Sequence, residues 1–189
     1  MIVERLKIRE IVAIRPNRHE DERGFFSETY SRRALAETGI DTEFVQDNHS
    51  LSVPQGTLRG LHFQAPPAAQ VKLVRVARGA IFDVAVDIRA GSPSYGRHVS
   101  CRLSAKEWNQ LYVPVGFAHG FCTLELDTEV IYKVSDYYAP EHDRGLLWSD
   151  PALAIDWPVS EPLLSEKDRS HPKLRQISEC FSYKPIVNG

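Results

Sequence analysis

Leu58-Arg59-Gly60-Leu61-His62-Phe63-Gln64 sets a histidine inside a strand-like run, at a place where an ordinary core takes Val or Leu. Read with period two, Leu58, Gly60, His62 and Gln64 share one face, and Arg59, Leu61 and Phe63 share the other. A buried imidazole has two readings. It is either a core histidine satisfied by a backbone carbonyl or a group that moves protons.

The same parity finds further ionisable groups on faces that are otherwise apolar. In Lys72-Leu73-Val74-Arg75-Val76 the lysine shares its face with Val74 and Val76; in Val130-Ile131-Tyr132-Lys133-Val134 the tyrosine shares its face with two valines. His119 lines up with Phe121 and Thr123 in His119-Gly120-Phe121-Cys122-Thr123. Taken singly, these read as a snorkelling lysine, a rim tyrosine and a satisfied histidine. Together, four such exceptions on four strands predict a base, an acid and a cation converging inside one β-barrel.

A chain of 189 residues is long enough for one well-buried domain, and we expect a single domain over residues 1–189. A net charge of −2 and a pI near 6.4 lack the basic excess of a nonspecific nucleic-acid binder. The opening Met1-Ile2-Val3-Glu4-Arg5-Leu6-Lys7 has no apolar core of a signal or membrane span, so neither a membrane partner nor export is expected. Cys101, Cys122 and Cys180 are scattered and odd in number, which reads as reduced packing thiols in a cytoplasmic protein.

Ile81-Phe82-Asp83-Val84-Ala85-Val86-Asp87-Ile88-Arg89 alternates apolar with mostly polar positions, predicting a strand with one packed face and one wet face. Turn signals at Arg78-Gly79, Ala90-Gly91-Ser92-Pro93, Pro114-Val115-Gly116 and Ala139-Pro140 have the close spacing of a sandwich or barrel. One short helix is predicted over Ser31 to Thr38, begun by a serine and stopped at Gly39. From about Asp150 the chain is rich in Pro, Trp and charge, which predicts an irregular C-terminal segment wrapping the barrel.

Pro114-Val115-Gly116-Phe117-Ala118-His119 resembles the P-x-G-x-x-H turn and strand of the cupin jelly roll, a double-sheet all-β barrel. Metallo-cupins also carry an H-x-H pair, but this chain has His62-Phe63-Gln64. With His62 and His119 as the candidate ligands, a stable divalent site lacks donors, and no metal or cofactor is expected. Asp21-Glu22-Arg23-Gly24-Phe25-Phe26, Phe44 to Ser50, Leu58 to Gln64, Lys72 to Arg75, Pro114 to Phe121 and Leu164-Ser165-Glu166-Lys167-Asp168 follow one another in unbroken order. That ordered set, from about residue 2 to about 174, resembles the dTDP-4-dehydrorhamnose 3,5-epimerase family. The resemblance implies a metal-free jelly roll, working as a homodimer, that epimerises a dTDP-linked 4-keto-6-deoxy sugar at C3 and C5.

It further implies roles, residue by residue. His62 takes the proton flanking the C4 ketone, Asp168 steadies the imidazolium, Lys72 sits beside the enolate oxygen and Tyr132 donates a proton on the opposite face. Arg23 and Arg59 hold the diphosphate and nucleotide end, where a forked guanidinium suits phosphate oxygens. Glu28, Gln46, Asn48, His119 and Lys167 map onto further substrate contacts, and Phe26 and Tyr138 onto aromatic surface for base or sugar. Asp143 stands where relatives can carry glutamate. Read without the resemblance, Asp168 is equally a capping acid in Ser165-Glu166-Lys167-Asp168, and Glu28 and Gln46 are solvated polar surface. Three other activities compete with the double epimerase: a C3 or C5 monoepimerase, a metal-dependent cupin oxygenase or isomerase, and a noncatalytic sugar-nucleotide-binding module. The tail Cys180 to Pro185 lies past the matched stretch and has no functional reading.

Overall fold

The alternating runs form thirteen strands in a computed structural model that describes residues 1–184. They are β1 (Ile2–Arg5), β2 (Val12–Arg15), β3 (His19–Asp21), β4 (Gly24–Phe26), β5 (Gln46–Ser52), β6 (Leu58–Gln64) and β7 (Lys72–Arg78), followed by β8 (Ala80–Asp87), β9 (His98–Ser104), β10 (Gln110–Val113), β11 (Phe117–Thr123), β12 (Thr128–Val134) and β13 (Asp143–Gly145). Two antiparallel sheets face each other as an all-β jelly roll, one in the order β1-β2-β10-β7-β12-β5 and the other β13-β6-β11-β8-β9. β3 and β4 form a separate hairpin. Helix α1 (Arg32–Ala36) starts where expected: the Ser31 hydroxyl accepts from the Ala34 amide, and Gly39 has a positive φ of 85° just beyond its end.

Between the sheets lies an apolar core to which both contribute, with Val74, Val76, Leu111 and Val130 from one and Ile81, Ala85, Leu103 and Phe117 from the other. Alternate positions of the β13-β6-β11-β8-β9 sheet, among them Leu61, Phe63, Val84, Val86 and Ala118, feed a second core on its outer surface. The irregular C-terminal segment covers that surface with Leu146, Leu153, Leu174 and Phe181.

This double burial corrects the reading of Ile81 to Arg89. Both faces of β8 are dry, and its apolar face of Val84 and Val86 lies outward beneath the C-terminal segment. The polar face points inward, where Asp83 and Asp87 are fully buried. Each aspartate is paired: Asp87 accepts from Arg89, Ser92 and Ser94, and Asp83 from His119. Alternation alone cannot say which face a later segment will cover. Arg89, itself nearly buried, also bonds Glu10 and lies over the rings of Phe117 and Tyr183.

The tail past the matched stretch has a structural account as far as Lys184, whereas Pro185 lies outside the described residues. Ala90 donates to the Phe181 carbonyl and Tyr183 donates back to Ala90, a two-bond bridge that seats Phe181 in the outer core.

A second correction concerns β6. Register pairs His62 with His119 and Arg59 with Phe121, so β6 takes three steps where β11 takes two. Gly60 and Leu61 thus oppose the single Gly120, a β-bulge. Residues directly opposite each other share a face of an antiparallel sheet, so Arg59 joins His62, His119 and Phe121 inside the barrel while Leu58, opposite Cys122, turns outward. Period-two parity put Arg59 and His62 on opposite faces; the surplus residue reverses that.

The bulge requires glycine on both strands. Gly60 has φ 119°, and a Cβ there would lie 2.7 Å from Gly120 Cα and 2.8 Å from the His119 carbonyl oxygen. Both contacts are with backbone that cannot swing aside. We expect Gly60→Ala to cost at least about 2 kcal/mol more stability than Gly91→Ala, because Gly91 also has a positive φ but meets nothing within 4 Å. Urea unfolding of the two variants checks this, and equal losses would contradict the assigned strain.

Candidate active site

The sheets part at one end of the barrel, and polar side chains replace apolar ones on both inner faces. A cavity of about 250 Å³ there is lined by Arg59, His62 and His119 from the β6-β11 side and by Lys72, Tyr132 and Ser50 from the β7-β12-β5 side. A second cavity of about 350 Å³, lined by Gln46, Asn48, Tyr138 and Asp143, adjoins it, since His62, Lys72 and Tyr132 line both. Phe121 and Tyr132 belong at once to this pocket and to the core below it. The apolar core is therefore the floor of the site.

His62 donates from Nε2 to Asp168 Oδ1 at 2.5 Å, across 106 residues of chain. The aspartate arrives on a one-turn helix, α2 (Glu166–Arg169), whose N-terminus is capped by the Ser165 hydroxyl accepting the Asp168 amide. A capping box would turn the Asp168 carboxylate back to the cap; instead it reaches the imidazole and is almost fully buried. Burial alone would raise its pKa, but the His171 and His62 rings beside it outweigh this and hold the carboxyl far below the usual carboxylate range. Burial pushes the His62 pKa down, opposed in part by Asp168. An ionised Asp168 fixes the tautomer with hydrogen on Nε2 and leaves Nδ1 with a free lone pair. The result is a neutral base with a built-in counter-ion.

Lys72 lies within 3.5 Å of the His62 carbonyl, and burial pushes its pKa down to about 8, against the pull of Asp143 and Asp83. At pH 7 the ammonium keeps most of its charge, inside a barrel where charge is poorly screened. Burial pushes the Tyr132 phenol up from its ordinary value, with Arg59 opposing, so it stays protonated. His119 bonds both oxygens of buried Asp83 at 2.9 and 3.0 Å.

Eleven of the fourteen residues expected at the site line these two cavities: His62, Lys72, Tyr132, Asp168, Arg59, His119, Lys167, Gln46, Asn48, Tyr138 and Asp143. Arg59 is held by Ser52 and the Leu51 carbonyl, Gln46 by Asn48, and Asp143 by Tyr138 and Lys167. Arg23, Phe26 and Glu28 line neither cavity. Phe26 is 71% exposed, and among the described residues Arg23 is tied only to Asp21 of its own exposed hairpin. Phe25 of that hairpin stacks edge-on against Trp108, beneath Arg18.

Three participants escaped the sequence reading. Asp83 was taken for wet surface, and Ser50 carried no signal beyond its place in Asp47-Asn48-His49-Ser50, although its buried hydroxyl lacks a partner in the pocket wall. His171 was overlooked because it lies in an irregular stretch where parity says nothing. It also corrects the count of possible metal ligands: among the described residues His62, Asp168 and His171 each bring a donor atom within 4.8 Å of the others, and His119 is not among them. Two ligands about 2 Å from one tetrahedral ion stand about 3.3 Å apart. The 2.5 Å between His62 and Asp168 is a hydrogen bond's length, so this cluster as arranged suits a proton rather than an ion.

The chain is similar to known proteins over nearly its whole length. The dTDP-4-dehydrorhamnose 3,5-epimerase family profile matches residues 5–176. A dTDP-4-dehydrorhamnose 3,5-epimerase of Sinorhizobium fredii is 52% identical over 187 residues, covering 98% of this chain and 96% of its own. Of solved structures, a dTDP-6-deoxy-D-glucose-3,5-epimerase from Legionella pneumophila, in complex with dTDP-4-keto-L-rhamnose, superposes with a TM-score of 0.93 at 43% identity over 97% of this chain and 99% of that one. A Bacillus anthracis dTDP-4-dehydrorhamnose 3,5-epimerase with TDP and PPi bound gives 0.89 at 49% identity, over 91% and 98%.

The depressed Lys72 pKa has a direct readout. Only the neutral amine reacts with an acylating reagent, so labelling of Lys72 is expected to climb as pH rises through about 8, ahead of the exposed lysines. Peptide mapping after brief acetylation across pH 6.5 to 9.5, at the order of reagent used for surface mapping, reads each lysine separately. Lys72 labelling in step with the exposed lysines would contradict its burial.

Proposed function

The chain belongs to the dTDP-4-dehydrorhamnose 3,5-epimerase family, and from that premise we propose how its barrel inverts C3 and C5 of dTDP-4-dehydro-6-deoxy-D-glucose to give dTDP-4-dehydro-L-rhamnose. The protein is an epimerase acting on a dTDP-linked sugar. One observation carries the mechanism: His62 and Tyr132 stand on facing sheets of one pocket, with the Lys72 ammonium beside them.

Protons on C3 and C5 are acidic because each carbon flanks the C4 ketone, and removing either gives an enolate with its charge mainly on the C4 oxygen. His62 takes the proton, neutral at the outset because it is buried, and Asp168 stabilises the imidazolium that forms. Lys72 donates to the developing oxyanion, worth several kcal/mol in a site of low dielectric. Tyr132 returns a proton from the other sheet and so to the other face of the planar enolate, which is what inversion demands; solvent then takes the proton from His62 and restores the phenol. Serving both carbons with one base and one acid needs the ring to reorient between steps.

Arg59, Lys167, His119, Gln46, Asn48, Tyr138 and Asp143 surround this centre and supply substrate contacts, with Arg59 on the diphosphate. No cofactor enters the scheme, since Lys72 performs the charge stabilisation that a metal ion supplies elsewhere. A net charge of −2 supports a small-molecule substrate rather than nucleic acid. Three unpaired cysteines support a cytoplasmic location, and no helix of the described residues is long and apolar enough to cross a membrane. Residues 1–189 act as one domain in this reading.

Arg23, Phe26 and Glu28 fit the same scheme in a homodimer. The exposed hairpin, and Glu28 just after it, line neither cavity of their own chain, which supports contacts with the pocket of a second copy. The edge strand β1, with Ile2 64% exposed, supplies further surface to bury. We expect sedimentation at twice the 21.4 kDa chain mass, and Arg23→Ala to raise KM several-fold with kcat preserved. A monomer with full activity would overturn the arrangement.

Proton NMR in D₂O separates the competing activities. Incubation with dTDP-4-dehydro-6-deoxy-D-glucose is expected to place deuterium at both C3 and C5, before and after exhaustive dialysis against EDTA, and His62→Ala to slow both at least about a hundredfold. Label at one carbon only would make the protein a monoepimerase. Label lost with EDTA and restored by one divalent ion would favour the metal-dependent reading, and binding of dTDP with no label would leave a binding module.

A further inference from the structure

His171 is a largely buried side chain with no part in the scheme above, yet the fold makes room for it. Its ring rests against Gly145, where any Cβ would collide with the Nε2, Cε1 and Cδ2 atoms of the imidazole. Gly145 is in turn the β13 residue opposite His62, so the missing side chain opens a niche directly beside the base. Within it the His171 ring meets the His62 ring edge-on at a centroid distance of 5.6 Å. The His171 side chain is 9% exposed, and its Nε2 has no hydrogen-bond partner. Asp168 Oδ1, the oxygen that accepts from His62, lies 3.5 Å from that nitrogen.

Resting on the epimerase reading, we propose that His171 is a positioning residue: seated in the niche at Gly145, it shares Asp168 Oδ1 with His62 and so sets how strongly the aspartate supports the catalytic base. A buried N–H next to a carboxylate oxygen takes that oxygen as its acceptor, which fixes the His171 tautomer with hydrogen on Nε2. Two donors on one oxygen divide its electron density. Asp168 then attracts the His62 proton less than it would alone, and His62 stays neutral to a lower pH. Nearness of His171 also works against protonation of His62.

Other charged groups surround both rings and are common to every variant below. Arg59, Lys72, His119, Tyr132 and Lys167 line the pocket at His62; Asp143, Arg144 and Lys167 line the cavity at His171. A change confined to His171 therefore reports on the shared oxygen.

The test compares His171→Ala with His171→Gln, whose amide keeps a donor, by NMR titration of the His62 ring and by the pH dependence of kcat/KM. For His171→Ala we expect the His62 pKa to rise by roughly half a unit to one unit, so that kcat/KM at pH 6 falls about three- to tenfold while the value at pH 8 stays within about twofold. His171→Gln should lie close to the unmodified protein in both. An unchanged His62 titration in His171→Ala would overturn the proposal, as would an equal shift in the two variants or a change in KM alone. Because the NMR titration needs no turnover, it judges the coupling even if His62→Ala shows that the base lies elsewhere.

Discussion

The close approach of Gly60 to Gly120 is the constraint on which the rest of the site depends. Two glycines let the backbones of β6 and β11 meet where any Cβ would press into main chain, and that contact absorbs one surplus residue in β6. Without the surplus, Arg59 and His62 would project from opposite sides of the sheet, one into the barrel and the other into the outer core. With it, a guanidinium and an imidazole line the same cavity. A rigid scaffold element thus re-aims a side chain, which is the common use of a bulge beside a site.

Chemistry in this barrel is divided between its walls. The β13-β6-β11-β8-β9 sheet carries His62, His119 and Asp83, with Asp168 brought to it by α2, while the opposite sheet carries Lys72 and Tyr132. His62 and His119 are held by hydrogen bonds to carboxylates, Tyr132 by packing on the core that includes Val74 and Val130, and Lys72 beside the His62 carbonyl. Each device sets protonation differently: the pairs keep Asp168 ionised, and burial keeps the phenol protonated and brings Lys72 down to about 8. Spreading acid, base and cation over two walls is also what gives an enolate two different faces.

Much of this was legible in the sequence because period two is a strong signal wherever a strand is regular. Lys72 with Val74 and Val76, Tyr132 with Val130, and His119 with Phe121 all share the faces that alternation assigns them. The failures fall where regularity breaks or where a distant segment intervenes. Arg59 changed sides through a bulge that Leu58 to Gln64 announces only by its glycine. Asp83 and Asp87 looked solvated because nothing local in β8 tells that residues beyond 145 will cover its other face. His171 and the orientation of Asp168 lie in coil, where spacing carries no direction. Resemblance supplied Asp168; the geometry supplied the reason, a carboxylate turned from its own helix cap toward an imidazole 106 residues away.

That long reach also orders events during synthesis. Every strand that holds His62, Lys72 and Tyr132 precedes Asp168 in the chain, and so does every other residue lining the pocket. A nascent polypeptide can therefore zip its two sheets together while the aspartate is still within the ribosome, but the outer surface of β8 waits bare for Leu174 and Phe181. For that interval the growing chain displays an oily sheet and an unpartnered histidine. The same segment that covers the one also brings Asp168 to the other, so a product truncated before Asp168 would be both sticky and inert.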